Sequence, residues 1–396
     1  MDITIIPNLL KGTVHAVPSK SQAHRFMICA SFADQPTTII CPETNKDIEA
    51  TAACLRAIGA RITRISSGYT IHPVLHIPES ADLPCGESGS TLRFLLPVVG
   101  ALGISATFHM SGRLPTRPLS PLWEEMIRMG CNLSRPTDNT ILCTGKLIPG
   151  KYNIDGNVSS QFITGLLLGL SLLSGKSKLN ISGNTVSNPY IQMTYEAMNT
   201  FDLDVSSLGQ RSFRSPGLLT VEGDWSNAAF FLGANAIGSS IKVVGLNPAS
   251  SQGDRIVDEL IDKLRLSFQT VDICDIPDLV PILSVVASAN HGVRFLNIQR
   301  LRTKESDRIE SICNMLRALG GQPQYDEYSL TVFPSAFTGG MVDCCNDHRI
   351  AMAAAIAATI SSSEVRLMGA DCVEKSYPSF WEDYKLLGGQ YEQYIR

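Results

Sequence analysis

Cationic and hydroxyl side chains stand where apolar helices are predicted to begin. The stretch "SKSQAHRFMICASFA" opens with a capping residue, Ser19, and its first turn and a half carries Lys20, Ser21 and Arg25. A helix N-terminus has unpaired N–H groups and roughly half a positive charge, so it attracts anions. Cations added at such a place indicate a site for small ligands that carry phosphate or carboxylate groups.

The same arrangement recurs along the chain, with Arg93 in "SGSTLR" and Arg349 in "NDHR". "SSQF" supplies two hydroxyls and an amide, and Asp278 in "IPD" is predicted in the first turn of a buried helix. Each motif alone also fits an ordinary capped helix with solvated charges, and Lys375 fits a surface lysine. Arg349 fits that alternative least, because it adjoins a strongly apolar run and needs an anion or water there.

Six apolar helices are predicted to position these groups. Their starts lie about 69, 71, 65, 51 and 71 residues apart, which indicates an internal repeat. Because they are apolar on nearly every face they should be buried, and the short alternating segments between them should be strands. The sequence therefore predicts an α/β fold of six β/α units, with buried helices inside a shell of sheets. The short interval between the fourth and fifth helix starts predicts that one β-hairpin is missing there.

Six units are expected to form two domains of three. The predicted boundaries assign residues 1–18 and 224–396 to one domain, with the N-terminal strand returning to it, and residues 19–223 to the other. If the six helix starts face a common cleft between the domains, that cleft would bind anions, and the active site is expected there.

The composition is that of a globular chain. Of 396 residues, 44% are hydrophobic and 18% charged, and the net charge of -4 argues against a general nucleic-acid-binding protein. The eleven cysteines form neither a zinc-binding pattern nor a secreted disulfide framework. There is no signal-peptide pattern, and the apolar runs are too short to cross a bilayer. These features predict a cytoplasmic protein, by default a monomer, with no membrane or nucleic-acid partner.

Six motifs together resemble the enolpyruvyl transferases, and among them the enzymes that act on shikimate 3-phosphate. In the family's order, over nearly the whole chain, they are "KSxxxR" from Lys20, "SGSTLR", "SSQF", "KESDR" from Lys304, "NDHR" and "KSYP". The family's fold is a two-domain inside-out α/β barrel built from six units, which agrees with the repeat. The resemblance implies transfer of the enolpyruvyl group of phosphoenolpyruvate to the 5-hydroxyl of shikimate 3-phosphate, with release of phosphate, in aromatic amino acid (chorismate) biosynthesis.

The resemblance also implies a role for each matching residue. The residues implied to bind shikimate 3-phosphate are Ser21, Arg25, Ser159, Ser160, Ser187, Tyr190, Asp278 and Lys304. The residues implied to bind phosphoenolpyruvate are Lys20, Gly89, Arg93, Arg117, Gln161, Arg308, Arg349 and Lys375. Asp278 near the 5-hydroxyl, Glu305 near the methylene carbon and Lys20 are the implied acid–base residues. No metal or organic cofactor is implied, and sensitivity to glyphosate, which competes with phosphoenolpyruvate in the family, is expected.

Glu87 departs from the family pattern, which usually has asparagine there. A carboxylate beside the anion-binding turn is expected to weaken phosphate binding unless it points away or pairs with a cation. Two other functions agree less well with the sequence. UDP-N-acetylglucosamine enolpyruvyl transferases carry a loop cysteine, whereas the corresponding "SGRLPTRPLS" has none. A catalytically inactive anion-binding homologue would have no reason to keep both Asp278 and Glu305.

Overall fold

Helices and strands alternate along the chain. A computed structural model of the protein describes residues 1–183, 185–206, 208–209 and 213–394. The helices are α1 (Lys20–Ser31), α2 (Lys46–Ala57), α3 (Gly89–Leu102), α4 (Leu122–Arg128), α5 (Ser160–Ser171), α6 (Asn188–Thr200), α7 (Trp225–Ala236), α8 (Val257–Leu266), α9 (Val280–Ser288), α10 (Arg308–Ala318), α11 (His348–Ala358) and α12 (Phe380–Leu386). The strands are β1 (Asp2–Ile6), β2 (Lys11–His15), β3 (Thr37–Ile40), β4 (Arg61–Ile65), β5 (Gly68–His72), β6 (Ser80–Gly86), β7 (Ser105–Met110), β8 (Cys131–Ser134), β9 (Thr140–Gly145), β10 (Lys151–Asp155), β11 (Lys178–Ser182), β12 (Leu218–Thr220), β13 (Ser240–Val244), β14 (Gln269–Asp272), β15 (Val293–Leu296), β16 (Pro323–Tyr325), β17 (Ser329–Val332), β18 (Gly340–Asp343), β19 (Val365–Met368) and β20 (Gln390–Tyr394).

The chain divides into two compact lobes. The continuous lobe is Pro18–Glu222, and the discontinuous lobe joins Met1–Val17 to Gly223–Arg396. Each division lies one residue before the boundary expected from the sequence. Each lobe has its own hydrophobic core, built mainly from the apolar helices.

The continuous lobe packs α1, α3 and α5 against three sheets. Their strand orders are β12-β3-β5-β4, β6-β7-β9-β8 and β10-β11. The three helices are buried along nearly their whole length, as predicted. Helices α3 and α5 approach closely at Gly165, where a β-carbon would collide with the carbonyl oxygen of Arg93. This close approach brings the starts of the two helices together.

The discontinuous lobe repeats the plan with α7, α9 and α11. Its sheets have the orders β18-β19-β1-β20, β14-β15-β17-β16 and β13-β2. Strand β1 lies between β19 and β20, and β2 pairs in parallel with β13, so the first strands complete sheets of the last units. The N-terminal strand therefore returns to the second half of the chain, as the sequence predicted.

Among the described residues no hairpin lies between α8 and β14, which confirms the prediction from the short interval. Hairpins follow α2, α4 and α10, but only two residues separate α8 from β14. The sheet that would have received the missing hairpin contains only β13 and β2. On the edge of β13 away from β2, the Asn235 side chain donates to the carbonyl of Ile241 at 2.8 Å and accepts from its N–H at 2.7 Å. An amide thus occupies the position of a neighbouring strand.

The helix boundaries follow the local signals in the sequence, with one exception. Gly59 and Gly320 each follow a helix end with positive φ, +111° and +92°, which suits glycine just past a helix C-terminus. The fifth apolar helix starts later than expected, at Val280, so the prediction that Asp278 lies in its first turn is wrong. A tight turn over residues 277–279 precedes the helix, because Pro281 favours the first turn and Leu279 occupies the cap. Across the described residues, no helix has both the length and the apolarity needed to cross a membrane.

Candidate functional site

Lys20 is the first residue of α1 and forms an ion pair with the start of α2. Its Nζ lies 2.8 Å from Oδ2 of Asp47, and both side chains are largely buried. Asp47 stands in the first turn of α2, where its charge also complements the helix dipole. Lys20 is therefore held at the helix start with its charge intact, as an anion-binding role requires.

Arg25 lies one turn further along α1 and is almost fully buried. Its Nε donates to Oγ1 of Thr194 at 2.9 Å, and its Nη2 donates to the carbonyl of Tyr190 at 2.8 Å and to Oγ1 of Thr164 at 3.3 Å. Its Nη1 donates to the carbonyl of Ser21 at 2.6 Å. Burial lowers the pKa of Arg25 to about 10, so the guanidinium stays charged at neutral pH. The structure thus joins three residues predicted for shikimate 3-phosphate, which are Ser21, Arg25 and Tyr190.

A second group of predicted residues meets at the start of α3. A β-carbon on Gly89 would lie 2.8 Å from a guanidinium nitrogen of Arg117 and would also meet Nη1 of Arg93, so a larger residue here would displace both guanidinium groups. Nη1 of Arg93 donates to Oε1 of Gln161 at 3.2 Å. The four residues predicted for phosphoenolpyruvate at this turn therefore lie together. The carboxylate of Glu87 packs against the Cα of Gly112.

The remaining predicted residues of this lobe stand at the starts of α5 and α6. Ser159 caps α5 by accepting from the N–H of Gln161 at 3.2 Å, and Ser160 is the first helical residue. Ser187 precedes α6 with φ +56°, a conformation that a serine rarely adopts. Backbone strain of this kind clusters at functional positions, and the role implied for Ser187 stays a prediction.

Arg308 organises the predicted residues of the discontinuous lobe. Its side chain is fully buried and forms ion pairs with Asp278 at 2.8 Å, Glu305 at 2.6 Å and Asp347 at 3.0 Å. Burial opposes its charge, but the three carboxylates outweigh burial and raise the pKa of Arg308. One guanidinium thus fixes both predicted acid–base carboxylates of this lobe.

Asp278 lies among three cations. Lys304 is 3.3 Å, Arg308 2.8 Å and Arg349 3.0 Å from its carboxylate oxygens. Burial alone would raise the pKa of Asp278, but these charges outweigh it and hold its pKa well below the ordinary value. Burial lowers the pKa of Lys304 to about 8, although Asp278 opposes this shift. Asp278 is therefore ionised, while Lys304 exchanges its proton near neutral pH.

Arg349 and Lys375 complete this group at the start of α11. Arg349 stands in the first turn of the helix, and Nζ of Lys375 donates to the carbonyl of Asn346 at 2.6 Å. The alternative prediction of Lys375 as a surface lysine is wrong, because its side chain is only 8% exposed.

Three carboxylates at the site were not assigned a role from the sequence. Asp347 caps α11 and binds Arg308, and the "NDHR" pattern before an apolar helix was a signal for it. Asp47, the partner of Lys20, gave no such signal. Asp254 is 1% exposed, accepts from the Ser226 hydroxyl, and its Oδ1 has no hydrogen-bond partner among the described residues.

Asp254 should make stability depend on pH. Burial, followed by the charge of Asp278, raises its pKa to about 7, although Arg349 and Ser226 oppose the shift and Asp224 adds to it. The unfolded chain releases this proton near pH 4 and the folded chain near pH 7, so the free energy of unfolding falls by up to about 4 kcal/mol across that window. Asp254→Asn should remove this fall, so the melting temperature of the variant should change less with pH between pH 5 and 8. The exposed Asp262→Asn is the control, and an unchanged slope in Asp254→Asn would contradict the prediction.

Known proteins resemble this chain over nearly its whole length. The profile of the family described as EPSP synthase (3-phosphoshikimate 1-carboxyvinyltransferase) matches residues 5–384. The 3-phosphoshikimate 1-carboxyvinyltransferases of Clostridium kluyveri and Clostridium perfringens are 35% and 36% identical to it, over 99% and 98% of this chain and 98% of each relative. The EPSP synthase of Acinetobacter baumannii, at 23% identity, superposes with a TM-score of 0.80 over 99% of this chain and 100% of that one, which confirms the predicted fold. The chain therefore belongs to the EPSP synthase family, the 3-phosphoshikimate 1-carboxyvinyltransferases.

Proposed function

We propose that the side chains gathered in the two lobes carry out the family's reaction, each in the role that its motif implies. The chain transfers the enolpyruvyl group of phosphoenolpyruvate to the 5-hydroxyl of shikimate 3-phosphate and releases phosphate, a step of aromatic biosynthesis. The main support for these roles is that Asp278 and Glu305 both form ion pairs with one buried guanidinium, that of Arg308.

The reaction proceeds by addition and elimination at C2 and C3 of phosphoenolpyruvate. Glu305 gives a proton to the methylene carbon C3 while the 5-hydroxyl oxygen attacks C2, which forms a tetrahedral intermediate. Glu305 then takes a proton from C3 as the C2–O bond to phosphate breaks. One carboxyl group on the C3 side can serve both steps, because the second reverses the proton transfer of the first.

Asp278 binds and orients the 5-hydroxyl in this scheme. As an ionised carboxylate it accepts a hydrogen bond from the hydroxyl and aims its oxygen at C2. It is too weak a base to keep the released proton near neutral pH, and Lys304, 3.3 Å away with a pKa of about 8, can take up this proton only when its amine is neutral. Lys20 stays a further candidate for the acid–base steps.

The cations of the continuous lobe bind the substrates' negative groups. Lys20, Arg93 and Arg117 would hold phosphoenolpyruvate, and Arg25 would hold shikimate 3-phosphate. Their charges offset the repulsion between two anionic substrates and stabilise the phosphate as it leaves. No metal or organic cofactor enters this scheme.

Phosphate release from the purified chain tests the reaction. We expect release with phosphoenolpyruvate and shikimate 3-phosphate together, and none with either alone. Release with UDP-N-acetylglucosamine in place of shikimate 3-phosphate would instead support the sister reaction, which the relatives' names do not favour. Tight binding of both substrates without release would support an inactive homologue.

We also propose that the chain works as a cytoplasmic monomer. All eleven cysteines are free thiols, which suits a reducing compartment. Both sets of predicted residues belong to one chain, so the scheme needs no partner subunit. Light scattering after size exclusion tests the state, with 42.9 kDa as the expected mass.

A further inference from the structure

Two adjacent residues of α1, His24 and Arg25, begin two separate buried hydrogen-bond networks. Arg25 joins α1 to α5 and α6 through Thr164, Thr194 and the carbonyl of Tyr190. His24 turns to other helices, because its Nδ1 lies 2.7 Å from Oγ1 of Thr51 in α2. The two networks share no hydrogen bond among those described.

The network of His24 continues through hydroxyl groups to the start of α3. Oγ1 of Thr51 lies 2.6 Å from Oγ1 of Thr91, which lies 2.7 Å from Oγ of Ser88. Ser88 caps α3 by accepting from the N–H of Thr91 at 3.3 Å. His24, Thr51 and Thr91 are fully buried, and Ser88 nearly so. Short hydrogen bonds without water leave these oxygens little freedom to move.

This network joins the helix start that carries Lys20 to the turn that carries Gly89. Lys20 lies one turn before His24 on α1, and Gly89 directly follows Ser88. The Lys20–Asp47 ion pair runs beside the network, and the carbonyl of Asp47 lies 3.5 Å from Oγ1 of Thr91. The relative position of Lys20 and Gly89 therefore depends on Thr51 and Thr91, which carry no charge and point away from solvent.

His24 keeps one charge state while the enzyme works. Burial, followed by the charges of Lys20 and Arg25, lowers its pKa well below the ordinary value, so the imidazole is neutral. Its ring also meets Phe94 of α3 edge to face, with 6.2 Å between centroids. The network is thus a fixed connection rather than a titrating one.

We propose that His24, Thr51 and Thr91 are positioning residues that set the spacing between Lys20 and the Gly89–Arg93 turn, and thereby the affinity for phosphoenolpyruvate. The Arg25 network does the same for shikimate 3-phosphate. This inference rests on the proposed function, which assigns Lys20, Gly89 and Arg93 to phosphoenolpyruvate and Arg25 to shikimate 3-phosphate.

A matched pair of isosteric variants tests it. Thr51→Val breaks the first network and Thr194→Val the second, each by replacing one fully buried threonine hydroxyl of the same lobe with a methyl group. We expect Thr51→Val to raise KM for phosphoenolpyruvate about tenfold and to leave KM for shikimate 3-phosphate within about twofold. Thr194→Val should show the reverse. Thr51→Ser restores the hydroxyl and should return KM close to the wild-type value.

The outcomes separate this inference from the function on which it rests. A purely structural role would lower the melting temperature and change both KM values alike in each variant, and that result would overturn the inference. Arg93→Lys checks the assignment of the turn. If it leaves KM for phosphoenolpyruvate unchanged, the proposed site is wrong; if it raises that KM and Thr51→Val does not, only the positioning role is wrong.

Discussion

Glu305→Gln should lower kcat by about 10²–10⁴, the range that general acid–base groups contribute. The amide keeps the shape of the side chain and can still accept from Nη2 of Arg308, which lies 2.6 Å from Oε2 in the parent. It cannot give a proton to C3 or take one back, so both the addition and the elimination should slow. KM for each substrate should change by less than about threefold, since binding geometry is retained.

Hydrogen exchange at C3 of phosphoenolpyruvate in D₂O gives a second measurement, and it should fall together with kcat. Glu310→Gln is the control, because Glu310 lies five residues after Glu305, in the first turn of α10, and accepts from the hydroxyl of Tyr325 rather than from Arg308. If Glu305→Gln keeps kcat within tenfold of the parent, Glu305 is not the C3 acid, and Lys20 becomes the leading candidate.

Asp347→Ala should destabilise the discontinuous lobe by about 3–5 kcal/mol, the cost of breaking a buried ion pair. Both Asp347 and Arg308 are fully buried, and the aspartate also caps α11 and accepts from Ser306. The lobe's melting temperature should fall by roughly 2–4 °C for each kcal/mol lost.

Asp307→Ala measures the loss of stability that comes from removing a helix cap without a fully buried ion pair. Asp307 caps α10 in the same way, but its partner Arg302 is 42% exposed, so this variant should lose only about 1 kcal/mol. Asp347→Asn keeps one acceptor oxygen in place of two, and so two of the four described hydrogen bonds, and its loss should fall between the other two. Equal losses in Asp347→Ala and Asp307→Ala would mean that the buried pair adds nothing beyond the cap.

The buried helices could be predicted because their signal is local and repeated. An apolar run with a polar start marks each one, and the interval between runs reveals both the six units and the missing hairpin. The start of α9 was placed too early because "DIPDL" contains the same polar and apolar types as a helix start. Whether Asp278 belongs to a turn or to the helix depends on its pairing with Lys304, Arg308 and Arg349, which lie far along the chain.

Partners that act across long sequence separations could not be predicted. Asp47 pairs with Lys20 from a different helix, and Thr51 and Thr91 meet across 40 positions. In neither pair does the sequence around one residue indicate the other. Hydroxyl groups inside helices look the same in the sequence whether they bond to their own backbone, as Ser31 does, or to another helix. Motifs therefore predict candidate substrate-binding residues, but they do not reveal the residues that hold those candidates in place.

The amide of Asn235 has a consequence for how such a chain can shorten over evolution. Deleting a hairpin normally leaves an open strand edge, which can pair with other chains and aggregate. Here an incoming strand would first have to displace both bonds between Asn235 and Ile241. A single side chain thus protects part of the strand edge that a hairpin would otherwise cover, while the residues predicted for catalysis lie on other elements of the repeat.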